Sequence, residues 1–282
     1  MAFWPWWPLD NAKWHVSLRS GEMKTAVYLF RPSCSVLTAV CLGFASVAFA
    51  ADPVVYTGTP VAVGTGTARV EVTTKGMDEP ESVSVVLTRD ALQGLPEVQG
   101  NQMVWEFALP MPEAGPKTGY DHVLLDWNPA GHIPDGVYTV PHFDVHFYLI
   151  SGSEREAITF HGEGRELAMT APDPQLVPAG YVVPPDTAVD RMGMHGLDPA
   201  GHEFHGQPFS HNFIYGYYKG ELMFVEPMVS LAFLESLPEM TSPVKQPQRY
   251  SYPAWYPATY RIGFDAGKGE YTIALQNLAR FD

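Results

Sequence analysis

The chain has 282 residues, 46% of them hydrophobic, and 17 Lys+Arg against 31 Asp+Glu give a formal net charge of −14. Disorder pairs low hydrophobicity with high charge, and nucleic-acid binding needs a basic face, so the composition argues against an unfolded chain and against a nucleic-acid partner. Its two cysteines can build neither a disulfide scaffold nor an all-cysteine zinc site.

Residues 35–50 form an uncharged apolar stretch, preceded by Lys24 and Arg31 and ending in Ala48-Phe49-Ala50. This pattern predicts a secretory signal peptide cleaved between Ala50 and Ala51, and hence a secreted or periplasmic protein. The stretch is shorter than the roughly 20 residues of a membrane helix, and no membrane span is expected after cleavage. Residues 1–22 hold Trp4, Trp6, Trp7 and Trp14 with Pro5 and Pro8, unlike the start of a signal. Translation from Met23 would give a signal of ordinary length. Cys34 and Cys41 both precede the cleavage point, and Val40 stands where a lipidation site needs a small residue. The chain from Ala51 onward is therefore cysteine-free, acidic and without disulfide support.

After Ala51, Arg69–Thr74 and Ser82–Thr88 alternate polar and apolar residues as half-buried strands do. Asp90–Leu95 reads as a helical turn stopped by Pro96. Met103–Leu109 and His122–Trp127 read as strands, and Asn128–Gly136 as a turn-rich loop. Val137–Ile150 is the strongest strand pattern. Residues 162–193 are rich in Pro, Gly and Asp and read as a loop or linker between a β-rich half at 51–161 and another at 194–282, the two packed as one unit. Asn212–Tyr218 and Glu221–Glu226 flank Lys219-Gly220 as a hairpin. Met228–Leu237 has helical spacing ending at Pro238. Tyr260–Phe264 and Glu270–Leu275 make a last hairpin around Asp265–Gly269. The expected fold is mainly β, with α+β as the alternative: antiparallel sheets in a β-sandwich-like core, few short helices and long Pro/Gly-rich loops.

All histidines but His15 follow the signal, and they cluster in Pro141-His-Phe-Asp-Val-His-Phe-Tyr148. Alternation along a strand puts His142, Asp144, His146 and Tyr148 on one face and Phe143, Val145 and Phe147 on the other. Imidazole and carboxylate on a rigid strand suit zinc, iron, copper or manganese. Residues two apart lie roughly 7 Å apart at Cα, so adjacent pairs can share an ion easily, whereas His142 and His146, about 13 Å apart, can do so only through a bend. Asp144 is either a ligand or the acceptor that orients an imidazole. Further ligands must come from elsewhere, and His195 and Glu226 are the candidates. A carboxylate at 226 shares parity with Leu222 and Phe224, which is costly unless it is paired or metal-bound; otherwise it caps the following helix. His202-Glu-Phe-His205 lacks the four-residue histidine spacing of a zinc protease. His122, His132 and His161 read as structural or exposed. The aromatics Tyr250, Tyr252, Trp255, Tyr256 and Tyr260 are either packing or a binding platform.

The Pro141–Tyr148 segment, Met192-Gly-Met-His195, Phe213-Ile-Tyr-Gly216 and Val225-Glu-Pro-Met228 together resemble, in this order, an uncharacterised family of secreted microbial proteins typified by a hypothetical protein of Thermus thermophilus. The resemblance spans roughly residues 55–275 and implies no established activity. Its matching positions are His142, Asp144, His146, His195 and Glu226; the chain departs from it at Gly196, where an aromatic is usual. Three functions stay open. The first is a metal-dependent protein or enzyme that activates water or a substrate oxygen, with Asp144 or Glu226 as candidate base. The second is a non-enzymatic envelope protein, binding or structural, with a buried His/Asp network. The third is a metal chaperone or buffer. The partners so implied are a metal ion or a small molecule, and a homo-oligomer is compatible with each.

Overall fold

The structure is a computed structural model that describes residues 52–76 and 79–282. The leader and signal peptide expected over residues 1–50 lie outside the described residues. The strands in chain order are β1 (Val54–Thr57), β2 (Val61–Val63), β3 (Gly66–Thr74), β4 (Pro80–Thr88), β5 (Trp105–Leu109), β6 (His122–Asn128), β7 (His142–Tyr148), β8 (Met194–Gly196), β9 (His211–Tyr218), β10 (Glu221–Ser230), β11 (Glu239–Pro243), β12 (Ala254–Asp265) and β13 (Glu270–Phe281). Among the described residues three short helices accompany them: α1 (Gly152–Glu156), α2 (Gly164–Ala168) and α3 (Leu231–Glu235).

Among the described residues the strands form two antiparallel sheets. One runs β1-β3-β4-β13-β12-β11, with β2 beside β3; the other runs β5-β6-β7-β10-β9-β8. Alternation decides which side chains meet between them. Val70 and Val72 of β3, Val83 and Val85 of β4 and Ile273 and Leu275 of β13 join Val123 and Leu125 of β6, Phe143, Val145 and Phe147 of β7 and Val225 of β10 in one buried cluster. Full burial of each such side chain is worth about 1.5–3 kcal/mol. Each sheet draws strands from both sides of residues 162–193, which carry α2 and two 3₁₀ turns. Tyr250 stacks on the fully buried Tyr256 at 3.5 Å, and Tyr260 is also buried, so much of that aromatic group packs in the core.

The Lys219-Gly220 hairpin is as expected. Both residues have positive φ (54° and 78°), the backbone of the two-residue turn that matches strand twist. Three boundaries differ. The helical reading of Met228–Leu237 is wrong at its start: β10 continues through Pro227 to Ser230, and only Leu231–Glu235 is helical. Proline normally ends a central strand, because it has no N–H to donate. Here the β7–β10 ladder passes from Val225/Phe147 directly to Met228/Asp144, and Pro227 occupies the gap. Ser230 then caps α3, its hydroxyl accepting from the Phe233 N–H. Second, the strand expected from Val137 begins only at His142, because Pro141 precedes it and Tyr138 turns back in the loop. Third, a bulge between Leu222 and Phe224 changes the parity of β10. Leu222 faces the main core, whereas Phe224 faces the opposite side of the sheet, so Leu222 does not share a face with Glu226.

That opposite side of the six-stranded sheet is buried as well. All seven residues of β7 are buried. Two smaller apolar clusters cover the face. Leu124, Tyr148 and Phe224 pack with Ile150 and Ile158, while Ile214 and Met228 pack with Tyr138, Leu197 and Phe209. Between them runs a layer of buried polar residues.

Candidate metal centre

The register of the second sheet composes this layer. Asn128 stands opposite His142, Asp126 opposite Asp144 and Leu124 opposite His146 across β6 and β7. On the other flank, Phe224 opposite Tyr148 and Met228 opposite Asp144 bracket Glu226. On the far side of β9, His195 of β8 stands opposite Gly216. Gly216 has a steric reason: a Cβ there would overlap the Phe224 ring. That ring packs against His146 at 4.8 Å and His195 at 5.5 Å between centroids.

The five residues singled out in the sequence fall into two groups. His146, His195 and Glu226 present ligand atoms all within 4.8 Å of one another. His142 and Asp144 instead meet His132, again with ligand atoms within 4.8 Å. Strand rise explains the split: His142 and His146 are four residues apart on a strand whose register with β6 carries no bulge, too far to share one ion.

In the first group His146 and Glu226 are buried and His195 is partly buried. The His195 ring donates its Nδ1–H to the Thr187 carbonyl at 2.8 Å, which leaves the Nε2 lone pair for the site. His146 Nε2 lies 3.5 Å from Glu226 Oε1, and its Nδ1 lies 3.5 Å from Asp126 Oδ2. Both separations exceed a normal hydrogen bond. Burial sets the charge state. It lowers the His146 imidazole to about 3 and the His195 imidazole to about 4. Burial, reinforced by the charges of Asp144 and Asp126, pushes the Glu226 carboxyl well above the usual carboxylate range. Asp126 is pushed up likewise, first by burial and then by Asp144.

In the second group the Asn128 side-chain amide donates to Asp144 Oδ2 at 2.8 Å. His132 Nε2 lies 3.3 Å from the same oxygen and His142 Nε2 3.1 Å from Asp144 Oδ1. Burial opposes ionisation of Asp144, but the adjoining His142 and His132 rings hold its carboxyl well below the ordinary range.

The residues suit a cation. His146 Nδ1 and Nε2, Glu226 Oε2 and both Asp126 oxygens are buried without a hydrogen-bond partner. An unpaired buried polar group costs about 1–3 kcal/mol, and a cation at the centre turns that cost into attraction. Neutral imidazole and carboxylate are the donors zinc and iron(II) take. In this arrangement Asp126 stands behind His146 as the carboxylate that orients a ligating imidazole.

Sequence reasoning passed over Asp126 and Asn128 and read His132 as structural or exposed, whereas its ring meets His142 and Asp144. Asp126 carried a readable signal: it is a charge in the middle of the apolar strand His122–Trp127, on the parity of His122 rather than of the core residues. His132 had none, because only the folded loop brings it to Asp144.

Residues 77–127 match the family described as TTHB210-like: Hypothetical protein TTHB210. The matched segment includes β4 to β6 up to Trp127, and so includes Asp126. It ends before the Pro141–Tyr148 segment. No curated protein and no solved structure matches the chain.

Proposed function

We propose that the protein is a secreted or periplasmic metal-binding protein that holds a divalent transition metal through His146, His195 and Glu226. The observation that carries the proposal is the convergence of these three side chains, from three different strands, within 4.8 Å in a layer buried on both sides. The apolar stretch ending in Ala48-Phe49-Ala50 supports export. Two imidazoles and one carboxylate favour zinc or iron(II), with copper and manganese as alternatives. Three protein ligands leave a coordination position for water or a substrate oxygen, which is the arrangement of metal-assisted hydrolysis. On this reading Glu226 is a ligand rather than the base. The test is metal analysis of the full chain, loaded with zinc and dialysed. Wild type retains zinc, and the His195→Ala plus Glu226→Gln double variant loses one equivalent together with its share of the zinc-induced rise in Tm. Wild type without zinc, or a double variant with undiminished zinc, refutes the reading.

A second reading, a non-enzymatic ligand-binding protein, draws on a cavity of about 400 Å³ lined in part by Tyr181, His202, Glu203, His211, Lys245 and Tyr260. On that reading a chelator leaves Tm unchanged.

A further inference from the structure

The group around Asp144 has chemistry of its own. Its members come from β7 and from the loop after β6, so it shares no residue with the His146 group. His132 donates its Nδ1–H to the Ile133 carbonyl at 2.7 Å, and His142 donates its Nδ1–H to the Val140 carbonyl at 2.7 Å. A carbonyl only accepts, so each ring keeps its proton on Nδ1. With no second proton, each ring would direct an Nε2 lone pair at a different oxygen of one carboxylate, at 3.3 and 3.1 Å. Lone pairs facing a carboxylate at that distance repel unless positive charge lies between them. Either a second proton on each ring or a single dication supplies it. Metal–ligand bonds of about 2.0–2.1 Å put tetrahedral ligand atoms about 3.3 Å apart, close to the separations found here.

Three further observations favour the dication. His142 Nε2 and Asp144 Oδ1 are buried and 3.1 Å apart, yet out of hydrogen-bond alignment, so neither satisfies the other. The Asn128 amide fixes Asp144 from behind, as an orienting partner does for a ligating carboxylate. Gly131, with φ 70°, lets the loop fold tightly enough to deliver His132: a Cβ there would overlap the Tyr138 carbonyl.

We propose that His132, His142 and Asp144 form a second, separate transition-metal site. It differs from the first in access. The His132 side chain is 37% exposed, whereas those of His142 and Asp144 are 0% and 7% exposed, so the ion is anchored from inside and reached from solvent through His132. Such a site exchanges its ion faster than the His146 group and offers its open position to water or a small oxygen ligand. The proposal does not depend on the first site.

Chelator-stripped full-length protein titrated with cobalt(II), followed by its visible absorption and by metal analysis after dialysis, tests it. His132 lies on a loop and is partly exposed, so His132→Ala leaves the fold intact, which far-UV circular dichroism checks. A second variant, Asp144→Asn, removes the carboxylate charge without changing side-chain size. Wild type binds two equivalents, and His132→Ala, Asp144→Asn and His195→Ala each bind one. The His132→Ala plus His195→Ala double variant binds none. A single equivalent in wild type that survives His132→Ala overturns the second site and leaves the His146 site standing. A single equivalent that survives His195→Ala but not His132→Ala does the reverse. No binding overturns both.

Discussion

Asp126 and Asp144 stand directly opposite each other in the β6–β7 ladder, both buried, one in contact with His146 and the other with His142 and His132. Like charges in direct cross-strand register repel. The fold resolves this by unequal protonation: the imidazoles keep Asp144 ionised, while burial and Asp144 hold the Asp126 carboxyl well above its usual range. Folded Asp126 therefore holds its proton to higher pH than the unfolded chain does. Its contribution to stability is full below the unfolded value near 4 and is lost as pH rises through the raised folded value. Metal-free Asp126→Asn has no such loss. Thermal melts at pH 5 and pH 8 show a larger fall in Tm for metal-free wild type than for the variant; equal falls contradict the assignment.

Gly216 leaves room for the Phe224 ring, which packs edge-on against His146 and tilted against His195. Gly216→Ala forces that ring away. Overpacking of this kind costs about 1–3 kcal/mol. Urea unfolding gives the loss, and zinc titration shows weaker binding at the His146 site with the His132 site unaffected. An Ala variant as stable and as tight as wild type shows that the ring does not position the histidines.

Metal uptake at the His146 site has a proton signature. With their imidazoles lowered to about 3 and about 4, His146 and His195 have no proton to release at pH 7, whereas the raised Glu226 carboxyl holds its proton to higher pH than a free one. In the His132→Ala background, any proton released on zinc binding, read by calorimetry in buffers of different ionisation enthalpy, comes from Glu226. Glu226→Gln removes the release. Release that survives Glu226→Gln contradicts the neutral histidine assignment.

His211 lies away from both groups, with its Nδ1 2.9 Å from the Tyr260 hydroxyl and its ring against Phe233. Burial, aided by His202, lowers its imidazole to about 4. The unfolded residue titrates near 6.5, so between about pH 6.5 and pH 4 the unfolded state binds the extra proton and stability falls as pH drops. His211→Phe keeps the ring and removes the titration. Its stability changes less than that of wild type over this interval; an unchanged slope places the acid sensitivity elsewhere.

The alternation of Pro141–Tyr148 was readable because one face is wholly apolar and the other carries His142, Asp144 and His146. The Lys219-Gly220 turn was readable because so few residues adopt its backbone. Glu226 was singled out as a carboxylate sharing a face with Leu222 and Phe224, and only the Phe224 half of that reading holds. The bulge before Phe224 changes which residues share its face, and Pro227 mimics a strand end while lying inside β10. Bulges and tolerated prolines depend on neighbouring strands, which a local pattern does not contain. His132 depends on the closure of a loop by Gly131 and Tyr138, and the division of five residues into two groups depends on the absence of a bulge in the β6–β7 register.

Crystals of the full chain grown with zinc and measured above and below the zinc absorption edge locate the ion without reference to activity. The expected result is an anomalous peak bonded at about 2.0–2.2 Å to His146, to His195 through Nε2 and to a carboxylate oxygen of Glu226. A fully loaded crystal with no peak among these three side chains contradicts the metal centre.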